Sequence, residues 1–218
     1  HNPTGKVFSR EELEEIARLC IAHDVVAVTD EVYEHLVFDG DHIPLATLPG
    51  MAERTITISS AGKIFSFTGW KIGWACGPAP LITAVRTAKQ YLTFVSGGPW
   101  QHAVAVGLRL GDDFFTGYTD DMRAKRDRLC AGLEAAGFDV LTPAGTYFAT
   151  VDIRSVGGAD GVEFCLDLPR RVGVVGVPTQ VFYDDEDAGR HLVRFAFCKR
   201  DEVLDEACER LLALRAGG

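Results

Sequence analysis

The sequence is short of positive charge. Its 22 Lys and Arg stand against 31 Asp and Glu, a net charge of −9. That sign argues against a sequence-independent nucleic-acid binder, which needs a basic face to displace counterions, and disfavours an anionic membrane surface. Long apolar runs are also missing: Val25–Val28 and Ile21-Ala22 fall far short of a bilayer span. Neither a CxxC pair nor zinc-like Cys/His spacing occurs among the six cysteines, so no metal site is expected. Cys20 and Cys208 fall on apolar helix faces, and Cys76 and Cys198 in apolar strand-like runs. Buried free thiols follow, and with them a reducing, cytoplasmic setting. Internal repeats are absent, and the only low-complexity stretch is Ala216-Gly217-Gly218. There is no initiator Met. The opening His1-Asn2-Pro3-Thr4-Gly5 reads as interior sequence and says nothing of targeting.

What is present is a globular composition. With 218 residues, 47% hydrophobic and 24% charged, the chain can bury a sizeable core in one large domain or two smaller ones. Ser9-Arg10-Glu11-Glu12 is a capping box, and Leu13, Ile16, Ala17 and Cys20 follow at helical spacing. The apolar, β-branched run Val25–Thr29 predicts a strand covered on both faces in a parallel sheet. Further strands are predicted at Thr55–Ser59 and Ile72–Cys76, the latter ended by Gly77-Pro78. Helices are predicted over Leu81–Phe94, Gln101–Leu110 and Asp112–Ala136, the last long and polar. Beyond it, strands at Phe138–Leu141, Thr146–Ile153, Val172–Val177 and His191–Cys198 alternate with helices near Gly161–Arg171 and Asp201–Leu214. The fold class is α/β: a doubly wound portion over residues 1–111, then a connecting helix and a small α+β domain over 112–218.

In an open parallel sheet, ligands bind beyond the carboxyl ends of strands. Two such ends carry polar residues here, Asp30-Glu31-Val32-Tyr33 and the stretch Ser59–Lys71. A strand-end Asp alone is commonly a helix cap, and a lysine in a Ser/Gly loop is commonly solvated. Lys63 differs, because Ile64, Phe65 and Phe67 follow it and would desolvate it. Burial favours the neutral amine, a nucleophile that forms Schiff bases with carbonyl cofactors, commonly pyridoxal phosphate. Such a cofactor's phosphate would want the Ser60 hydroxyl and the Lys71 cation, and its pyridine nitrogen the Asp30 carboxylate.

These residues resemble a known family. His1–Gly5, Asp30–Tyr33, Ser60–Lys63, Thr68–Gly73 and Val193–Phe197 stand in the order and approximate spacing of the class I/II aminotransferases, fold-type I pyridoxal-phosphate enzymes. The resemblance covers essentially the whole chain. Ser-x-Gly-Lys followed by Thr-Gly-Trp-Lys-x-Gly-Trp is most similar to the subgroup of kynurenine, glutamine, methionine and succinyldiaminopimelate transaminases. It implies a fold-type I large domain, mainly parallel sheet with helices on both faces, followed by a small C-terminal domain. It also implies that Lys63 holds the cofactor and then shuttles a proton, and that Asp30 keeps the pyridine nitrogen protonated. Tyr33 and Asn2 would hydrogen-bond the phenolic oxygen, Ser60 and Lys71 would grip the phosphate, and Arg194 would clamp the substrate α-carboxylate. Asn2 is expected to contribute to substrate binding too.

Two departures stand out. Many relatives have arginine where Lys71 stands, so the phosphate grip would rest more on backbone donors. The family's upstream phosphate turn, its ring-stacking aromatic and the residue that reaches a partner's site have no counterpart in this sequence. The resemblance thus implies a C-terminal half that works with an N-terminal half in a homodimer, moving an amino group between an amino acid and a 2-oxo acid. Three alternatives share the sequence: a cysteine-conjugate β-lyase on the same site, a cofactor-sensing domain and an inactive fragment.

Overall fold

The computed structural model describes residues 1–217; Gly218, the last of the Ala216–Gly218 tail, lies outside the described residues. They form two compact units, Phe8–Tyr118 and a discontinuous one made of His1–Val7 with Thr119 onward.

The first unit begins with α1 (Arg10–Ala22). Both arms of its capping box are made, Ser9 Oγ accepting from the Glu12 N–H and the Glu12 carboxylate accepting from the Ser9 N–H. Three strands follow, β1 (Ala27–Asp30), β2 (Thr55–Ser60) and β3 (Gly73–Cys76). They form one sheet in chain order, β1 parallel and β3 antiparallel to β2. A single helical turn, α2 (Ala61–Ile64), continues β2 directly, and α3 (Ala79–Leu92) and α4 (Gly98–Gly107) follow β3. Ala17 of α1 packs with Ala27, Leu45, Leu48 and Met51 to cover one side of the sheet. A second cluster joins Ala61, Ile72 and Val104 with Phe65, Phe67, Trp70 and Trp74.

The expected double cover of Val25–Thr29 is not found. Val25 and Val26 precede the strand and are exposed, and Val28 in its middle is 61% exposed. A β-branched run records what a strand prefers, not whether the chain holds something to cover it. The thiols need a similar correction. All six are free, but only Cys130 is buried, and Cys76 is exposed at the end of β3. Burial pushes the Cys130 thiol up to about 11.

The long helix α5 (Asp112–Ala135) crosses the division between units at 118/119. The second unit then holds β4 (Asp139–Leu141), β5 (Phe148–Asp152), α6 (Gly161–Val172), β6 (Val177–Pro178), α7 (Glu186–Gly189), β7 (Leu192–Ala196) and α8 (Asp201–Leu211). Its sheet is wholly antiparallel, ordered β4-β5-β7-β6. Leu133, Ala149, Val151, Val193 and Phe197 are fully buried there.

The strand predicted over Val172–Val177 shrinks to Val177-Pro178, because α6 runs on through Val172 and closes on left-handed Gly173 at φ 72°. Pro178 cannot donate to a ladder, and it lies on the edge strand, where none is required. The two compact units part at 118/119, and residues 1–7 belong with the second unit. The Gly145 N–H donates to the Gly5 carbonyl and Thr150 Oγ1 to the Pro3 carbonyl. Gly5 stands at φ 70°, and a Cβ there would meet Pro143. Among the described residues no helix is long and apolar enough to cross a membrane.

Candidate active site

The first unit brings one set of candidate residues together through strand register. Parallel pairing aligns Asp30 with Ile58, and the Glu31 N–H extends the ladder to the Ile58 carbonyl. Asp30 therefore leaves the sheet beside the strand that ends, two residues later, at Ser60. Side chains alternate across a sheet, so Asp30 and Ser60 fall on one face, together with Val28 and Ile58. Asp30 caps no helix; its Oδ1 accepts from the Val32 N–H at 3.3 Å. The chain turns straight from Ser60 into α2, which carries Lys63 as its third residue. Lys63 is half-buried, next to buried Ile64.

Lys71 ends a 3-10 turn, Thr68–Trp70, and stands in the left-handed region at φ 56°, ψ 41°, exposed. That conformation costs a non-glycine residue on the order of 1 kcal/mol, and such strain concentrates at functional loops. Tyr33 lies in the turn after β1 and is half-buried.

Several supporting residues carry no motif and were missed in the sequence. Glu31 is buried and accepts from Thr29 Oγ1 and His42 Nε2, both at 2.8 Å. Burial alone would raise its carboxyl. The hydrogen bonds from His42 and Thr29, with the His42 charge and the Leu45 N–H, outweigh burial and hold it below the ordinary value. Glu34 accepts from Ser59 Oγ at 2.8 Å. The acidic pair Glu31 and Glu34 thus ties the turn bearing Tyr33 to β1, to His42 and to β2. Acidic residues three apart in a tight turn are the one trace this left in the sequence.

The second unit brings together Asn2 and Arg194. Arg194, in the middle of β7, donates from Nη1 to Asn2 Oδ1 at 2.5 Å. A guanidinium can only donate, so the Asn2 carbonyl oxygen must face it, and the amide NH₂ is left to donate elsewhere. The Arg194 guanidinium carbon lies 3.9 Å from the centroid of the Phe148 ring and 5.1 Å from that of Phe182. Ring contacts of this kind restrict the orientation of the planar fork and lower the conformational cost of binding a carboxylate. Phe148 and Phe182 were likewise unmarked in the sequence.

Comparison with known proteins gives this arrangement its family. The sequence pattern of aminotransferase class I and II matches residues 1–211. A probable N-succinyldiaminopimelate aminotransferase, DapC, of Mycobacterium tuberculosis is 54% identical across 98% of the chain and 56% of its own length. A kynurenine–oxoglutarate transaminase of Dictyostelium discoideum is 41% identical across 99% of the chain and 55% of its own length. Among solved structures, N-succinyldiaminopimelate aminotransferase from Mycobacterium tuberculosis superposes with a TM-score of 0.95 at 56% identity, over 98% of this chain and 56% of that one. YbdL from Escherichia coli, described as having a methionine aminotransferase function, superposes with a TM-score of 0.91 at 36% identity, over 98% and 56%. The chain spans about half the length of the curated relatives it matches. The α/β fold is that of the fold-type I aminotransferases, and by sequence and structure alike the chain belongs to the class I and II aminotransferase family.

Proposed function

We propose that this chain is the lysine- and arginine-bearing part of an aminotransferase that moves an amino group between an amino acid and a 2-oxo acid, with pyridoxal phosphate as cofactor. The observation that carries the reading is the junction of β1 and β2, where Asp30 and Ser60 share a face and Lys63 follows within one turn. The donor set suits the cofactor. A phosphate needs a hydroxyl and a cation, supplied by Ser60 and Lys71; an aldehyde needs an amine, supplied by Lys63; a protonated ring nitrogen needs a carboxylate, supplied by Asp30.

Pyridoxal phosphate, when bound, supplies the electron sink that makes the substrate α-proton acidic. The Asp30 carboxylate would hold the proton on the ring nitrogen. Lys63 Nζ would act as the base at the substrate α-carbon, a position where proton transfer contributes about 10²–10⁴-fold. Tyr33 and the free amide hydrogens of Asn2 would donate to the phenolic oxygen. Arg194 would bind the α-carboxylate with its fork, which lies against the rings of Phe148 and Phe182.

The 54% identity to DapC makes an N-succinylated diamino acid the first amino donor to test. An N-terminal half, a homodimer, a cytoplasmic setting and the domain division at 111/112 remain part of this proposal. The exposed side chains of Val28, Tyr91, Leu92 and Phe94 support the first two. The test is borohydride reduction of the cofactor-loaded, full-length protein and mapping of the labelled peptide. The label is expected on Lys63, and a label on Lys71 or Lys89 overturns the reading.

A further inference from the structure

Lys63 is carried on an unusually slight support. The helix α2 is four residues long, and the Phe65 N–H to Ala61 carbonyl bond, 3.1 Å, closes its single turn. One isolated turn has almost no stability of its own, because nucleation fixes several dihedrals for a single bond. Its beginning is fastened to the sheet edge, where the Ala61 N–H donates to the Ile72 carbonyl at 3.0 Å. Its end is the difficulty. The helix stops at Ile64, so the Lys63 carbonyl loses the donor four residues on that a longer helix would supply. The Ser66 N–H reaches that carbonyl only at 3.4 Å.

A side chain 55 positions away takes up the vacancy: Tyr118 Oη donates to the Lys63 carbonyl at 2.8 Å. The same end of α5 is packed onto the turn through aromatic rings. Phe114 and Phe115 lie 5.8 and 6.4 Å, centroid to centroid, from Phe65, and Phe115 stacks on His35 at 4.5 Å. On the other side, a Cβ at Gly62 would come within 3.0 Å of the Thr68 Cα, so the turn also lies close against the Thr68 loop. The turn is held at its start, along one flank and, through Tyr118, at its closing carbonyl.

We propose that Tyr118 is a positioning residue for Lys63, its hydroxyl fixing the rotation of the turn that aims the amine. The inference rests on the reading of Lys63 as the amine that takes the cofactor. A small rotation of the turn is carried along the four-carbon side chain to Nζ, and misplacement of a reacting group by about 1 Å can cost on the order of a hundredfold. Tyr118 touches neither cofactor nor substrate in this account; it acts through the Lys63 backbone. A tyrosine that merely satisfies a carbonyl would contribute stability and leave the amine's properties unchanged.

The test is Tyr118→Phe in the full-length protein, a change that removes the donor and keeps the ring. Three quantities are read: amide hydrogen exchange of residues 61–66 without cofactor, the pH midpoint of the absorbance of the covalent lysine–cofactor adduct, and kcat beside KM. Exchange should quicken by about three- to tenfold, the span of one neutral hydrogen bond. The midpoint should move by about 0.4–1 unit for the same reason. A fall in kcat of about three- to tenfold should accompany it, with KM for the amino acid within about twofold. A midpoint indistinguishable from the parent overturns the proposal, whatever happens to exchange or melting temperature, since Tyr118 is then a brace alone. Lys63→Ala is run alongside. If that variant still forms the adduct, the reading of Lys63 has failed and the Tyr118 proposal falls with it, an outcome distinct from an unmoved midpoint.

Discussion

The sheet that leads to the lysine and the sheet that carries the arginine are covered very differently. Val193, beside Arg194 in β7, has no exposed surface, whereas Val28, two residues before Asp30 in β1, is 61% exposed. Helix α3 ends in Tyr91 and Leu92, each more than 80% exposed, while α8 buries Leu204 and Leu211. Both regions are rich in apolar residues, so composition does not separate them. In the arginine unit the helices that cover the sheet are encoded in the same stretch of chain. In the lysine unit apolar side chains of β1 and α3 stay exposed. Arg194 sits on a well-covered strand with its aromatic neighbours in place, and the turn bearing Lys63 is held by a few specific fastenings.

The largest expected effect that sharpens this contrast is on the chemistry of the lysine side. Lys63→Ala should abolish covalent cofactor capture and cost turnover about 10²–10⁴-fold, checked by absorbance and steady-state rates in the full-length protein. The next is a paired test of cover. Leu133→Ala, in the fully buried part of α5, should destabilise by about 2–5 kcal/mol, whereas Val28→Thr should stay within about 0.5 kcal/mol. Urea unfolding of both variants of this chain would break the contrast if the two costs came out equal.

On the arginine side, Arg194→Lys keeps the charge and loses the fork. A penalty of about 1.5–3 kcal/mol in kcat/KM is expected for acidic, aromatic and thioether amino acids alike, with cofactor affinity unchanged. A loss confined to dicarboxylic substrates would move Arg194 to a side-chain pocket. The smallest effect belongs to Glu31, whose carboxyl is held below its ordinary value by His42 and Thr29 despite burial. A depressed carboxyl stabilises the folded state above its ordinary pKa, and the contribution is lost as pH falls through the lowered folded value. Glu31→Gln should therefore weaken the acid-side slope of stability, and an unchanged slope would remove Glu31 from the account.

Much of the α-helical order was legible in the sequence, for reasons visible at particular residues. Ser9 and Glu12 announced α1 because both halves of a capping box lie within one turn of chain. The breaker Ser96–Pro99 separated α3 from α4 because Pro99 suits a first turn and no later position. The strand expected at Val172–Val177 shortens because α6 takes Val172 and the left-handed Gly173 ends that helix before any strand can begin. Asp30, Ser60, Lys63 and Lys71 stood out as a local constellation at two strand ends. Tyr118, Phe148 and Phe182 did not, because each meets its partner at a distance of 12 to 55 positions along the chain and belongs to no local motif. His42 was hidden for the same reason, since its meaning lies in a carboxylate 11 positions earlier.

The strip His1–Val7 has a consequence in time rather than in energy. Its contacts lie far down the chain, Pro3 with Thr150 at a separation of 147 and Asn2 with Arg194 at a separation of 192. At roughly 5–20 residues per second, the ribosome delivers Arg194 some 10–40 s after Asn2. Throughout that interval Asn2 and the buried faces of Pro3 and Gly5 have nothing to dock on. Doubling a loop adds only about 0.6 kcal/mol, so the delay costs little stability. It makes the seating of this strip one of the last events in assembly, and Asn2 can reach Arg194 only after β7 has been synthesised.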